Sequence, residues 1–550
     1  MTACRQPVAQ PDPPGIFPSP APTATPFRPL AATPRPGETA LPAGTAPAAS
    51  PEPMLWLGEA VPDQFRLLAA GWPIPLTTEP GQAAYRLDYA PEGEITWIYA
   101  LAAAFPTVTD DVPAEALRRA WEGDLSGPLA GHRLIMAGST LEAFTAKWGP
   151  PDPLIVSAAG GDLVEALWSD RSVWAILPFE KITPQLKVLS LDGISPLRND
   201  FDPVGYPLIA RFHLSADQPT AGLSDNPAIQ LPSTNRDPAK LTTLVMTGVT
   251  ALVRATANKM ETKGITYPAG DIRDWLVKAD IAHISNEIPF AENCPPPNPY
   301  QTSLMFCSDP KYIELLEHIG ADVVELTGNH FMDWGRAATL LTVEMYDEKG
   351  WPYYGGGADL ADSRQPALLE HNGNRFAFIG CNPVGPGFAW ATDSNPGAAP
   401  CDDYEWIKNE ITRLKDEGYI VIATMQYSEY YVPWAPDNQV QDFAALAEAG
   451  ATIVSGSQSH YPQVMAFHGP AFIHYGLGNL FFDQMFYTLS DGTTITETRL
   501  EFLDRHVFYD GRYLGVELLT AVLEDFARPR PMTPGERAEF LLKYFEASGW

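Results

Sequence analysis

Cysteine is scarce in this chain, with five among 550 residues. None stands at the CxxC spacing of a zinc site, so a structural zinc cluster is excluded as a source of stability. Basic residues are also few: 36 Lys and Arg face 67 Asp and Glu, giving a formal net charge of -31. No basic run interrupts that excess. Nucleic-acid phosphates would be repelled over most of the surface, which argues against a nucleic-acid partner and disfavours an anionic membrane surface. No stretch approaches 18 uninterrupted apolar residues, so nothing reads as a membrane span, and membrane contact is left to a lipid anchor.

What the chain has in abundance is proline, 55 residues, about twice the usual ~5% share. Much of it falls in residues 1–53, where "QPDPPGIFPSPAPTATPFRPLAATPRPG" is Pro, Ala and Thr without apolar periodicity. Such a segment cannot bury enough surface to offset chain entropy and reads as an extended tether. Cys4 in "MTACRQP" resembles the cysteine that closes a bacterial lipoprotein signal. That resemblance implies lipidation at Cys4 and an extracytoplasmic, cell-surface location. The other four cysteines form two close pairs, each bracketing one irregular loop: Cys294 with Cys307, and Cys381 with Cys401. Disulfides there would restrain segments that have no secondary structure of their own, and would also place the protein outside the cytoplasm.

The length calls for two or three domains. Residues 54–214 alternate strand and helix patterns. "EITWIYALAAAFPTVTDDVPAEALRRAWEG" reads as a strand, a turn and a helix capped by Thr109 and Asp110. The stretches "FPTVTDDVPAEALRRAWEG" and "GYPLIARFHL" resemble a lobe of the type 2 periplasmic solute-binding fold. Residues 215–240 read as a linker, and residues 241–550 as a second α/β domain.

That second domain has a repeating logic in which a helix ends at a small or acidic residue and an apolar strand follows. In "YIELLEHIGADVVELTGNH", Tyr312, Leu315, Leu316 and Ile319 share a helical face before Gly320. Each strand then exits on polar groups: Glu287; Asn329 with His330 and, further on, Asp333; Gln426 with Glu429; Ser457 with His460. Strand ends on one edge of an α/β sheet are where ligands are held, so these side chains are expected to share one cleft. Glu287 and Glu429 together would make a carboxylate pair, one able to act as general base. Read alone, each also suits a solvated loop acid, and His330 and His460 suit loop braces. His283 and His474 lie inside apolar strands and read as satisfied core histidines. "YGGG" from Tyr354 lacks the Lys and Ser/Thr of a phosphate loop.

The ordered set "NEIPF", "LTGNHFMDWG", "IATMQYSEYY", "VSGSQSHYPQV" and "FIHYGLGNLFFDQ" resembles the bacterial CapA-like capsule-synthesis family associated with poly-gamma-glutamate, over roughly residues 241–508. The resemblance implies a calcineurin-like metallophosphoesterase fold of α/β/β/α layers. It also implies a metal-binding amide at Asn329 and a proton-donating His330, with an anionic polymer or capsule component and other capsule-synthesis proteins as partners. The family's first-strand aspartate is replaced at Thr247 or Gly248, its His-Trp-Gly reads Gln426, Tyr427, Ser428, and its GHHPH box keeps only His460. Glu287 and Asn329 survive as ligands, enough for one divalent cation but not for a pair. Two functions follow. One is a hydrolase or transferase with His330, Glu287, Glu429 and His460 as its catalytic groups. The other is a polymer-binding or assembly protein on the same fold.

Overall fold

The computed structural model describes residues 52–216 and 231–550. Cys4 and nearly all of the expected tether lie outside the described residues. Among the described residues no helix is long and apolar enough to cross a membrane.

The N-terminal region is built on a mixed ten-stranded sheet. Its central strand is Ile95–Ala104, a continuous apolar run with nine of its ten residues buried. Such a run can only lie inside a sheet covered on both faces. The strand pairs antiparallel with Ile209–Ala216, Val173–Pro178 and Leu186–Leu191, the last two on opposite edges because Leu101 and Ala102 pair with both. The following helix is Ala114–Trp121, and it begins at Pro113 rather than at the acid pair. Pro113 is its N-cap, extended at ψ 129°, and the first helical N–H, that of Ala114, donates to Asp192 Oδ1 at 3.2 Å. Thr109 and Asp110 therefore do not cap it. Asp110 instead accepts a two-pronged hydrogen bond from Arg537 at 2.7 and 2.9 Å and pairs with Lys187 at 2.7 Å. Of the segment 215–240, residues 217–230 lie outside the described residues. Beyond them, Asn235 bonds both backbone groups of Ile98 at 2.8 Å.

Residues 241–550 form two further large sheets, besides two small two-stranded ones. In the first, the strands Leu241–Met246, Ile281–Asn286, Val323–Glu325 and Tyr353–Tyr354 run parallel. The antiparallel strands Leu500–Tyr509, Arg512–Glu524 and Arg528–Pro531 extend it. In the second, Asn374–Cys381, Ile420–Gln426, Ile453–Ser457 and Ala471–His474 run parallel. The two sheets face each other through Leu244, Met246, Ile281 and Val323 on one side and Phe376, Phe378, Ile422 and Phe472 on the other. Helices Arg254–Lys263, Ile313–His318 and Gly335–Lys349 cover the outer face of the first sheet through Met260, Leu316 and Tyr346. Helices Glu405–Asp416 and Asp437–Ala449 cover the second through Ile411 and Phe443. The layering is α/β/β/α. Tyr312, Leu315, Leu316 and Ile319 are all buried, and Gly320 ends their helix at φ +72°. Both expected disulfides are present, with Cα atoms 5.8 Å apart for Cys294–Cys307 and 5.1 Å for Cys381–Cys401.

The N-terminal sheet shares a core with this sandwich. Ala100, Ala102, Leu177 and Leu186 pack with Leu241, Val507 and Leu514. Phe105 lies edge-on to Phe467, Phe472, Phe545 and Trp550.

Candidate functional site

The parallel strands of both sheets deliver their carboxyl ends to one seam. From the first sheet come Glu287, just past Ile281–Asn286, and the turn Thr327–Gly328–Asn329–His330 beyond Val323–Glu325. Gly328 is required there because a Cβ would lie 2.6 Å from the Glu287 carbonyl oxygen. From the second sheet come Gln426 and Ser457, each the last residue of its strand, followed by Gln458 and His460. Gln458 and His460 adopt left-handed backbone conformations, φ +83° and +49°. Non-glycine residues held this way cost free energy, and the cost is characteristic of sites where side-chain aim matters.

At the centre is the Gln426 side chain. Its Nε2 donates to Asn329 Oδ1 at 3.0 Å and to Glu287 Oε1 at 3.5 Å, and lies closer still to Gln458 Oε1. Its Oε1 accepts from the Ser457 hydroxyl at 2.9 Å. Ser457 also lies 3.0 Å from Glu325 Oε1, and Thr327 Oγ1 contacts the same oxygen at 2.5 Å. Glu325 is fully buried; desolvation pushes its pKa up, against a hydrogen bond from Thr327 that favours the charge.

Two histidines flank the cluster. His330 Nδ1 donates to Asp333 Oδ2 at 2.6 Å, and the same oxygen accepts the Phe306 N–H at 2.9 Å. Burial opposes the His330 charge, yet the Asp333 hydrogen bond and the negative charges of Glu287, Asp333 and Glu429 raise its pKa above the ordinary imidazole value. His460 Nδ1 lies 2.7 Å from Asn479 Oδ1, whose amide nitrogen donates to the Thr498 carbonyl at 3.0 Å. Asn479 therefore offers only an acceptor to the ring, which puts the proton on Nδ1 and turns Nε2 to the carboxylates. That Nε2 is 4.0 Å from Glu287 Oε1 and 3.8 Å from Glu429 Oε1. Glu287 is 3% exposed and Glu429 48%, so the second carboxylate is the one solvent reaches. A cavity of about 900 Å³ opens alongside, lined by Arg254, Phe306, Lys311, Tyr312, Asp333 and Trp334 and walled by the Cys294–Cys307 loop.

The structure thus brings Glu287, Asn329, His330, Gln426, Glu429, Ser457 and His460 to one place, with Asp333 bracing His330. Sequence reasoning missed Gln458 and Glu325. Glu325 had a signal, a lone acid inside the apolar run "DVVEL". His474 is satisfied on both nitrogens, by Asp504 at 2.6 Å and the Gln463 carbonyl at 3.2 Å. His283 is not: Nε2 meets the Tyr354 hydroxyl at 2.7 Å while Nδ1 finds no protein partner among the described residues. Burial pushes its pKa down to about 3, so the ring stays neutral there. The glycines after Tyr354 serve packing, since a Cβ on Gly356 would lie 2.4 Å from the Leu326 carbonyl.

Residues 243–484 match the family described as bacterial capsule synthesis protein PGA_cap. Over these residues the chain is similar to the CapA-like capsule-synthesis family. The chain is similar to the capsule biosynthesis protein CapA of Bacillus anthracis, 27% identical over 176 residues, which are 31% of this chain and 43% of that protein. It is likewise similar to the PGA biosynthesis protein CapA of Bacillus subtilis, 29% identical over 174 residues, 31% of this chain and 45% of that one. The chain thus spans less than half the length of these curated relatives. Among solved structures, a hypothetical protein from Thermus thermophilus aligns over 50% of this chain and 98% of its own length, at 16% identity and a TM-score of 0.30.

Among the described residues no group of three or more His, Cys, Asp or Glu is disposed to hold a metal ion. Around the Gln426 amide nitrogen the one carboxylate is Glu287, and the other two oxygens, of Asn329 and Gln458, belong to neutral amides. Amide oxygens are weak ligands for zinc or manganese.

Proposed function

We propose that this is an extracytoplasmic protein of capsule or poly-gamma-glutamate biosynthesis that acts on a cell-surface polymer as a hydrolase or transferase through the strand-end cluster. The observation that carries the reading is an Asp333-braced His330 in the field of Glu287 and of the solvent-open Glu429 carboxylate, next to the cavity that Asp333 lines. In this reading His330 donates a proton to the leaving group. Glu429 takes one from the attacking water or amine, with His460 Nε2 and Glu287 relaying charge behind it. Arg254 and Lys311 on the cavity wall supply positive charge for an acidic polymer, although each is already paired, Arg254 with Asp483 at 2.5 Å and Lys311 with Glu261 at 2.6 Å. The two disulfides support a location outside the reducing cytoplasm.

A second reading, a polymer-binding or assembly protein that catalyses nothing, is favoured by Gln426, whose amide already engages Glu287 and Asn329. His330→Ala separates the two. An enzyme loses turnover of poly-gamma-glutamate while staying folded. A binder has no turnover to lose and keeps part of its affinity, because one lost hydrogen bond is worth about 0.5–1.5 kcal/mol if neutral and about 1.5–3 kcal/mol if charged. Processing by the variant at the parent's rate removes the catalytic reading.

A further inference from the structure

The position of the Gln426 amide has a meaning of its own. Three oxygens from three different chain segments point at one atom, Gln426 Nε2: Asn329 Oδ1 at 3.0 Å, Glu287 Oε1 at 3.5 Å, and Gln458 Oε1 nearer than either. An amide nitrogen carries two protons, so three acceptors exceed what it can bond singly. Oxygens gathered like this repel one another unless something positive sits among them, and here the N–H₂ end of a side-chain dipole does so. Its orientation is fixed from the other end by the Ser457 hydroxyl on Oε1 at 2.9 Å. Gln426 is 1% exposed and Gln458 4%, so neither side chain rotates away without leaving buried polar atoms unpaired. Hard cations hold oxygen ligands at about 2.0–2.6 Å, and no such ion fits among these oxygens while the amide nitrogen stays where it is.

We infer that Gln426 is a built-in replacement for a cation: its amide holds the strand-end oxygens of Glu287, Asn329 and Gln458 in place, and the protein binds no divalent ion there. The strained backbone at Gln458, φ +83°, fits the same role, because it aims that oxygen at the amide. The arrangement gives a site whose geometry is indifferent to metal supply and to chelators. The inference does not depend on whether the cluster catalyses or only binds, and its test reads metal rather than turnover.

The full chain, its Glu287→Gln variant and its Gln426→Glu variant are dialysed against Mn²⁺, and bound metal is measured alongside the thermal midpoint with Mn²⁺ and with EDTA. The parent should retain no more Mn²⁺ than Glu287→Gln and should melt at the same temperature in both buffers. Gln426→Glu turns the donor into a fourth converging oxygen. It should bind about one Mn²⁺ at least about tenfold more tightly than the parent, and its midpoint should rise with Mn²⁺. Retention of about one Mn²⁺ by the parent that disappears in Glu287→Gln overturns the inference. So does a Gln426→Glu variant that folds yet responds to Mn²⁺ no more than the parent. If Gln426→Glu does not fold, the comparison of parent with Glu287→Gln decides the matter alone.

Discussion

Replacing Asp333 with asparagine isolates the charge that holds His330. The Asp333 side chain is 2% exposed, and one of its oxygens serves both the His330 ring at 2.6 Å and the Phe306 N–H at 2.9 Å. Asparagine can put its carbonyl oxygen in that place and keep both bonds, so what is removed is the charge. Hydrogen bonds to charged groups contribute about 1.5–3 kcal/mol and neutral ones about 0.5–1.5, so the variant should lose about 1–2 kcal/mol while His330 is protonated. The sign with pH follows from the raised pKa of His330. Its contribution is fully present below the ordinary value of 6.5 and is lost as pH rises through the higher folded value. Urea unfolding followed by tryptophan fluorescence should therefore show a larger cost at about pH 6 than at about pH 9. The His330 ring resonances should titrate at lower pH in the variant than in the parent. An equal cost at both pH values, or an unmoved titration, would refute the claim that Asp333 holds the imidazolium.

Three further outcomes are expected. Changing Cys294 and Cys307 to serine frees a loop closed over a 13-residue separation, a constraint worth about 3 kcal/mol by chain entropy, so proteolysis within residues 295–306 should quicken by roughly a hundredfold; an unchanged cutting rate would show the loop held by other means. Glu501 is fully buried, neither of its carboxylate oxygens has a protein hydrogen-bond partner among the described residues, and burial holds its pKa well above 4.5. The unfolded chain ionises above 4.5 and the folded one does not, so stability falls as pH rises. Glu501→Met should gain on the parent in thermal midpoint from pH 5 to pH 8 (both approximate), and a gain that shrinks would sink the argument. Asp110 is desolvated, but Arg537 and Lys187 hold its pKa down to about 2 against an ordinary 3.8. Its contribution is present above 3.8 and fades towards 2, so Asp110→Asn should lower the melting temperature at neutral pH and cease to differ from the parent near the folded value; a difference that persists in acid would point elsewhere.

Much of this molecule is legible from local pattern. The strand at Val323 and the helix face of Tyr312, Leu315, Leu316 and Ile319 follow from apolar spacing, and both cysteine pairs follow from the loops they bracket. The gathering of Glu287, Asn329, His330, Gln426, Glu429, Ser457 and His460 follows from one rule about strand ends. What was not legible depends on partners far away in the chain. A glutamine reads the same whether its oxygen or its nitrogen faces a site, so the central place of Gln426 needs Ser457 on one side and Glu287 and Asn329 on the other. Asp110 looks like a helix cap because its neighbours are visible in sequence and Arg537, 427 residues on, is not. His283 reads as satisfied in an apolar strand because pattern shows burial but not which ring nitrogen meets Tyr354.

The core shared between Ala100, Leu177, Val507 and Leu514 also sets an order of events during synthesis. After Ala216 has been made, roughly 300 more residues must be added before Leu514 exists, which at about 5–20 residues per second is about 15–60 s. Throughout that interval the alanine-lined face of the N-terminal sheet lacks Val507 and Leu514, and the surface they cover is available to other nascent chains. The last strands of the protein thus complete its first sheet, so a chain truncated before residue 507 would carry an unfinished N-terminal region as well as an unfinished C-terminal one.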